Sequence, residues 1–443
     1  MSLRTAVICA AAISAFLITT VTPAAAGQIK LRAQLGQKVL VSGGAGKAYV
    51  RVDLEGLALT SSEKRTPANV AIVIDRSGSM GGQKIDQAKT AAIMAINRLG
   101  RDDFAAVVAY NHDVNVIVPA TRVSGHAEMA GDIRRLRAGG RTALYAGTVQ
   151  GVREVRKFLS DHRVNRVILL SDGLANVGPS RPEDLAELAR KVVREGISVS
   201  TIGLGLGYNE DLMAKLAYNS DGNHAFVEKA DDLVKIFNQE FGDVLSVVAQ
   251  DLIITIECRG GFRPKRVLGR SADITGDRVR LHLNQIYGKQ EKYFIVELEV
   301  PKGKRAGETE IADVTVDYKS MAGGARETVA SKVAGRFSAS EREAKASIDK
   351  DVMTAVTTQI ANEVNERAVS LRDKGKIGEA GQLLRDNAAY LGRAATALSA
   401  PALATLSKKN LDDAKSVASR SEWRKTRKAM RARQHKLKVQ QSY

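Results

Sequence analysis

Val70-Ala71-Ile72-Val73-Ile74-Asp75-Arg76-Ser77-Gly78-Ser79-Met80 is the stretch from which the rest of the chain is read. Five consecutive apolar residues rich in β-branched side chains predict a strand buried on both faces, which belongs in a parallel sheet covered by helices. The strand ends at a carboxylate. Asp75, Ser77 and Ser79 then alternate along a loop that Gly78 allows to turn tightly, so a carboxylate and two hydroxyls can converge on one point. These are hard oxygen donors, the kind magnesium prefers. Two more pieces stand where such a site needs them. Val167-Ile168-Leu169-Leu170-Ser171-Asp172-Gly173 repeats the buried strand ending in an aspartate, and Gly139-Gly140-Arg141-Thr142-Ala143-Leu144 offers a threonine hydroxyl from a glycine-loosened loop just before a helix. In open doubly wound sheets ligands gather beyond the carboxyl ends of the strands, where Asp75 and Asp172 both fall.

This constellation resembles the metal-ion-dependent adhesion site of von Willebrand factor type A domains. The family pattern is Asp-x-Ser-x-Ser, then a threonine, then an aspartate, and Asp75, Ser77, Ser79, Thr142 and Asp172 fill its five positions in order. Ser200 to Gly205 and Leu216 to Phe226 are similar to the family's later strand and last helix-to-strand passage. The resemblance covers about residues 68 to 248 and implies an adhesion-type site holding Mg²⁺ (or Mn²⁺/Ca²⁺), with a protein partner supplying Asp or Glu to the ion. Some relatives carry a second ion site with acidic residues after the second serine. Met80-Gly81-Gly82-Gln83 follows here, so no such neighbour is expected.

From Val70 onward, strands at 70–75, 104–110, 166–172 and 198–204 alternate with helical patterns at 84–99, 142–159 and 182–195. Such alternation specifies an α/β fold, a doubly wound and mostly parallel sheet with helices on both faces. Residues 115–123 read as a short antiparallel edge strand. Gly203-x-Gly205-x-Gly207 has the wrong spacing for a dinucleotide loop. On the amino-terminal side, residues 28–66 show period-two patterning, with Gly43 to Ala48 read as a hairpin turn rather than a phosphate loop. After residue 249 period two returns, for example at Val279, Leu281 and Leu283, and predicts an antiparallel sandwich. It has few strands to close alone. Residues 27–66 are therefore expected to join 249–337 in one β module, with the A domain at 67–248 inserted between them. This arrangement looks like that of bacterial secreted A-domain proteins and, in outline, of inter-α-trypsin inhibitor heavy chains.

Ser340-Glu341-Arg342-Glu343 reads as a capping box opening a helical region at 338–419, expected to be a separate unit. Gly375 breaks its first helix, and residues 377–398 and 402–418 form others. A basic tail at 420–443 holds nine Lys or Arg against one acid and places Trp423, Met430 and Leu437 at heptad spacing. It is read as a solvated, mobile end, with docking on an anionic envelope surface as the other reading. At the opposite end, Arg4, the apolar run Ala6 to Val21 and Pro23-Ala24-Ala25-Ala26 predict a cleaved signal peptide at 1–26. Export, to the periplasm or beyond the cell, argues against the nucleic-acid reading that a formal charge of +18 would otherwise invite. Cys258 then stands alone in the mature chain on the inward face of a strand, a buried inert thiol.

These readings point to an exported, metal-dependent protein-binding molecule that is not an enzyme. A hydrolase that uses the ion to activate water is the first alternative. It lacks a base placed by sequence, and His112 and His224 are the nearest loop candidates. A structural envelope protein whose ion only staples loops is the second.

Overall fold

The computed structural model describes residues 27–44, 46–58 and 65–441; the predicted signal peptide lies outside the described residues. Three strands lead in: β1 (Ile29–Leu35), β2 (Val39–Val41) and β3 (Gly46–Gly56). The chain then alternates through β4 (Ala68–Asp75), α1 (Gln83–Asn97), β5 (Phe104–Tyr110), β6 (Val114–Arg122), α2 (His126–Arg134), α3 (Leu144–Arg156), β7 (Val164–Ser171), α4 (Pro182–Val193), β8 (Ile197–Leu204), α5 (Glu210–Asn219), β9 (His224–Val227) and α6 (Leu233–Val244). These strands form one sheet in the order β6-β5-β4-β7-β8-β9, parallel except for β6. Every residue of β4, β5, β7 and β8 is buried, as continuous apolar runs require when helices cover both faces. One apolar core lies on each side. Ile72, Ile74, Ile168 and Ile202 point to one, and Val73, Val167, Leu169 and Val199 to the other.

Period two then returns in β10 (Val247–Cys258), β11 (Arg263–Val267), β12 (Asp273–Thr275), β13 (Arg278–Tyr287), β14 (Glu291–Val300), β15 (Gly307–Ser320) and β16 (Arg326–Ser338). They form two sheets, β1-β3-β14-β11 and β12-β13-β10-β15-β16-β2, with Val50, Val52, Ile254, Ile256, Val296 and Val314 packed between them. The early strands therefore complete the sandwich. Gly43, at φ +75°, does turn the chain, but not within a hairpin: β2 pairs in parallel with β16, whereas β3 pairs with β1 and β14 in the opposite sheet. Cys258 lies inward beside Ile256, and burial pushes its thiol up to about 11.

Helices α7 (Glu341–Ala346), α8 (Lys350–Asp373), α9 (Ile377–Leu398), α10 (Pro401–Ser416) and α11 (Arg420–Val439) follow. Half of the capping box forms. Ser340 Oγ accepts from Glu343 N at 3.2 Å, but the Glu343 carboxylate turns to Ser338 Oγ and Arg336 instead of the Ser340 amide. The helices do not stand apart as a separate unit. Val352 and Val356 of α8 pack on Leu268 and Ile295 of the sandwich. Over residues 420–439 the basic tail is also neither solvated nor loose: α11 is a continuous helix with Trp423, Met430 and Val439 buried. Six of its nine cations face carboxylates: Lys425 on Glu228, Arg427 on Glu210, Asp211 and Asp373, Lys428 on Glu210, Arg431 on Asp211, Arg433 on Asp413 and Lys438 on Glu366. No described helix is long and apolar enough to cross a membrane.

The modules meet over a buried polar joint. Arg166 of β7, fully buried, donates to Ser200 Oγ at 2.6 Å, to Glu240 Oε1 of α6 at 3.1 Å and to Tyr287 Oη of β13 at 2.8 Å. A guanidinium is tolerated there because its fork meets several oxygens at once.

Candidate metal centre

Buried strand β4 delivers Asp75 at its last residue, and β7 ends one residue before Asp172, so both carboxylates emerge from the same sheet edge. Asp75 is fully buried. Its Oδ1 accepts from Ser77 N at 2.8 Å and its Oδ2 from Ser171 Oγ at 2.6 Å, which fixes the carboxylate in one orientation. Burial raises its pKa, opposed by those hydrogen bonds, with the charge of Asp172 raising it further. The phenol of Tyr110, buried beside both, is pushed well above its ordinary value chiefly by the same desolvation.

The hydroxyls follow as a chain. Ser77 Oγ lies 3.2 Å from Ser79 Oγ, and Ser79 Oγ donates to Asp172 Oδ1 at 2.6 Å. Thr142 reaches them from another loop. That loop is tied down by Gly139 N to Arg76 O at 2.8 Å, Gly78 N to Gly140 O at 2.9 Å and Thr142 N to Asn176 Oδ1 at 2.9 Å. Gly140 is needed at φ +82°, and a Cβ there would strike the His112 ring. Gly173 shows where the donors point. A Cβ on it would sit 3.1 Å from Thr142 Oγ1 and 3.4 Å from Ser79 Oγ, so both hydroxyls border the space that a side chain at 173 would fill.

All five residues named from the sequence thus lie in one cluster of loops. Three others join them. Ser171 and Asn176 orient Asp75 and Thr142. Lys84, in the first turn of α1, places its ammonium on Asp172 Oδ2 and 3.2 Å from Ser79 O. Its signal was faint, a lysine nine residues beyond Asp75 on a helix face whose aim depends on the loop between. The two histidines differ in fate. His224 is buried, with Nδ1 2.8 Å from Thr201 Oγ1, a packing residue; His112 is half-exposed on the β5–β6 turn, with Nε2 3.2 Å from Asp113.

Two carboxylates and three hydroxyls suit a hard divalent cation, because small oxygen donors match its charge density. Among the described residues no group of three or more His, Cys, Asp and Glu forms a metal cage, so a site here depends on its hydroxyls. The cleared space at Gly173 and the fixed Asp75 carboxylate are compatible with such an ion.

A doubly wound sheet with carboxylates and hydroxyls gathered at its carboxyl edge points to one class of domain. Residues 69–239 match the model of the von Willebrand factor type A domain, and the chain contains that domain, a type that typically mediates protein–protein interaction or adhesion. Protein sll0103 of Synechocystis is 32% identical over 179 residues, 40% of this chain and 42% of that protein. YfbK of Escherichia coli is 29% identical over 214 residues, 48% of this chain and 37% of that protein. Inter-alpha-trypsin inhibitor heavy chain H3 of Homo sapiens is 30% identical over 172 residues, 37% of this chain and 19% of that protein. The match thus spans less than half the length of these relatives. Among solved structures, a von Willebrand factor type A protein from Catenulispora acidiphila superposes with a TM-score of 0.68, covering 89% of this chain and 90% of that one at 20% identity. The ArnB paralog VWA2 from Sulfolobus acidocaldarius gives 0.62, covering 94% and 99% at 15% identity. The fold therefore recurs over 89% and 94% of the chain, beyond the A domain itself.

Proposed function

We propose that this is an exported protein that binds other proteins through a divalent ion, Mg²⁺ or a similar cation, held by Asp75, Ser77, Ser79, Thr142 and Asp172. The hydroxyl chain Ser77–Ser79–Asp172 facing Thr142 across the Gly173 space carries this reading. When bound, the ion supplies positive charge and an exchangeable position for an acidic side chain of a partner.

The protein residues do the rest. Asp75 is locked by Ser77 and Ser171, so it can neither rotate away nor collapse onto the hydroxyls. Lys84 offsets one of the two carboxylates, leaving the cluster a single net negative charge and too little to neutralise a divalent ion. An incoming carboxylate therefore gains. Export rests on the residue pattern before Gly27. Docking on an anionic surface, the other reading of the basic tail, draws no support, because six of the nine α11 cations already face acids within the chain.

Titration of the purified chain with Mn²⁺, followed by the loss of the free-ion electron paramagnetic resonance signal, should give one site. Ser79→Ala should weaken it tenfold or more, or about 1.4 kcal/mol. An identical isotherm for the variant would remove these residues from the ion's coordination.

A further inference from the structure

The face around Asp75, Ser79 and Thr142 is chemically lopsided, and sheet order says which side is which. The donors sit over β4 and β7, with β5 and β6 on one flank and β8 on the other. On the β5–β6 flank, Arg76 directly follows Asp75, Arg141 directly precedes Thr142, and Arg137 shares a cleft with Arg76. Arg137 and Arg141 are exposed, and Arg137 Nη1 bonds only the backbone carbonyls of Arg134 and Leu136. Arg76 donates to Asn115 Oδ1, and its Nε is buried without a partner. Among the described residues no carboxylate pairs with any of these three. Of the acids on that flank, Asp132 is paired with Arg135, and Asp113 is exposed with an oxygen 3.2 Å from His112 Nε2. Arg76 and Arg137 line a cleft of about 560 Å³ between β6 and the loop after α2.

The β8 flank is apolar. Leu174, two residues beyond Asp172, is 59% exposed, and Leu206 in the loop after β8 is 38% exposed. The two loops abut: a Cβ on Gly207 would lie 2.4 Å from the Asp172 carbonyl oxygen. The Leu206 carbonyl is held by Arg424 of α11 at 3.1 Å, so this loop is anchored while its side chain faces out.

We infer that the site takes an extended segment of a protein partner in which the ion-binding acid has further acids on one side and a large apolar residue on the other. This rests on the metal-dependent binding proposed above and adds the partner's chemistry. Unpaired guanidiniums at the rim favour carboxylates, with which they form paired hydrogen bonds, and exposed leucines gain by being covered. Reach sets the spacing. Strands lie about 4.8 Å apart and an extended chain advances about 3.3 Å per residue, so the flanking groups fall within about two to four residues of the central acid.

The test is selection of a random linear peptide library, displayed on phage, against the full chain in magnesium, with elution by EDTA. EDTA-eluted clones should share an acid flanked by acids on one side and Leu, Ile, Val or Phe on the other. The strongest clone, made as a labelled peptide, should bind Arg137→Ala/Arg141→Ala about tenfold more weakly by fluorescence anisotropy. Its version with the flanking acids changed to Gln should bind wild type and variant alike. Leu174→Ser should weaken peptides with the apolar residue and spare those with Ser in its place. EDTA-eluted clones without flank preference, or equal losses for both peptides, would overturn this inference and leave the metal reading standing. Clones indifferent to EDTA, or no enrichment at all, would overturn both.

Discussion

Lys84 sits where two demands on the cluster conflict. Asp172 is buried to 1% exposure, and the Lys84 ammonium is the charge that compensates it. With an ion, the same ammonium becomes a like charge a few ångströms away, and Coulomb repulsion at that range outlasts screening in a half-buried site. Lys84→Met should therefore act in opposite directions. Divalent affinity should rise about tenfold, near 1.4 kcal/mol, while the ion-free protein loses about 1–3 kcal/mol from a stranded buried carboxylate. Calorimetric titration and denaturant unfolding in EDTA check the two arms, and an affinity that falls would show that Lys84 supports the ion. Asp75, Ser77, Ser79, Thr142 and Asp172 were legible because each sits at the end of an apolar run or within two residues of a loop glycine. Lys84, Ser171 and Asn176 were not, because what they do depends on the angles at which loops return.

At the scale of elements, buried strands announce themselves by continuous apolar runs, and β4, β5, β7 and β8 lie close to where those runs placed them. Helix α11 shows the opposite case. Its basic composition reads as a solvated tail, since the acids that receive Arg427 and Lys428 on α5 lie more than 200 residues away in sequence. Trypsin at neutral pH should therefore spare residues 420–439. The docking also carries a pH signature. His435 of α11 and His224 of β9 are buried with ring centroids 5.9 Å apart. Burial lowers His224 to about 4 and holds His435 well below its ordinary value, an effect the neighbouring His224 reinforces. Unfolding frees both to take protons near pH 6.5. Their contribution is thus complete above that pH and is lost as pH falls toward the folded values, by about 1.4 kcal/mol per histidine per unit. Asp243 opposes them: burial raises it to about 7, so the folded state gains protons there between pH 7 and 4. The net slope mixes the two, but the difference isolates one. His435→Gln should lose stability less steeply than wild type between pH 6.5 and 5, read by urea unfolding at each pH. Parallel slopes would mean that His435 is charged in the folded state.

For the whole molecule, the question is whether an ion bound at one edge of the A domain stabilises the domain or the entire chain. The packing favours the entire chain. Helix α6 ends at Val244 and β10 begins at Val247, and across this joint Val247 enters the A-domain core while Val248 enters the sandwich core. Tyr287 of the sandwich lies in the A-domain core and accepts from Arg166, so the sandwich cannot unfold without opening a buried charge of the A domain, nor the A domain without stripping a buried hydroxyl of the sandwich of one of its partners. Helix α11 then joins α5 to the sandwich through Lys292 Nζ, 3.0 Å from Val439 O. Under these conditions heat should unfold the chain in one transition. A ligand bound only by the folded state adds RT ln(1 + [L]/Kd), about 2.7 kcal/mol at a hundredfold excess over Kd. Spread over about 400 residues at about 2.1 cal/mol/K each, that raises Tm by roughly 3 °C; confined to an independent domain of about 180 residues it would be roughly 7 °C. Differential scanning calorimetry with and without magnesium separates the cases. One peak displaced by about 3 °C is expected. Two peaks, of which magnesium moves only one and by the larger amount, would show that the A domain melts alone and that the Arg166 joint does not couple it to the sandwich.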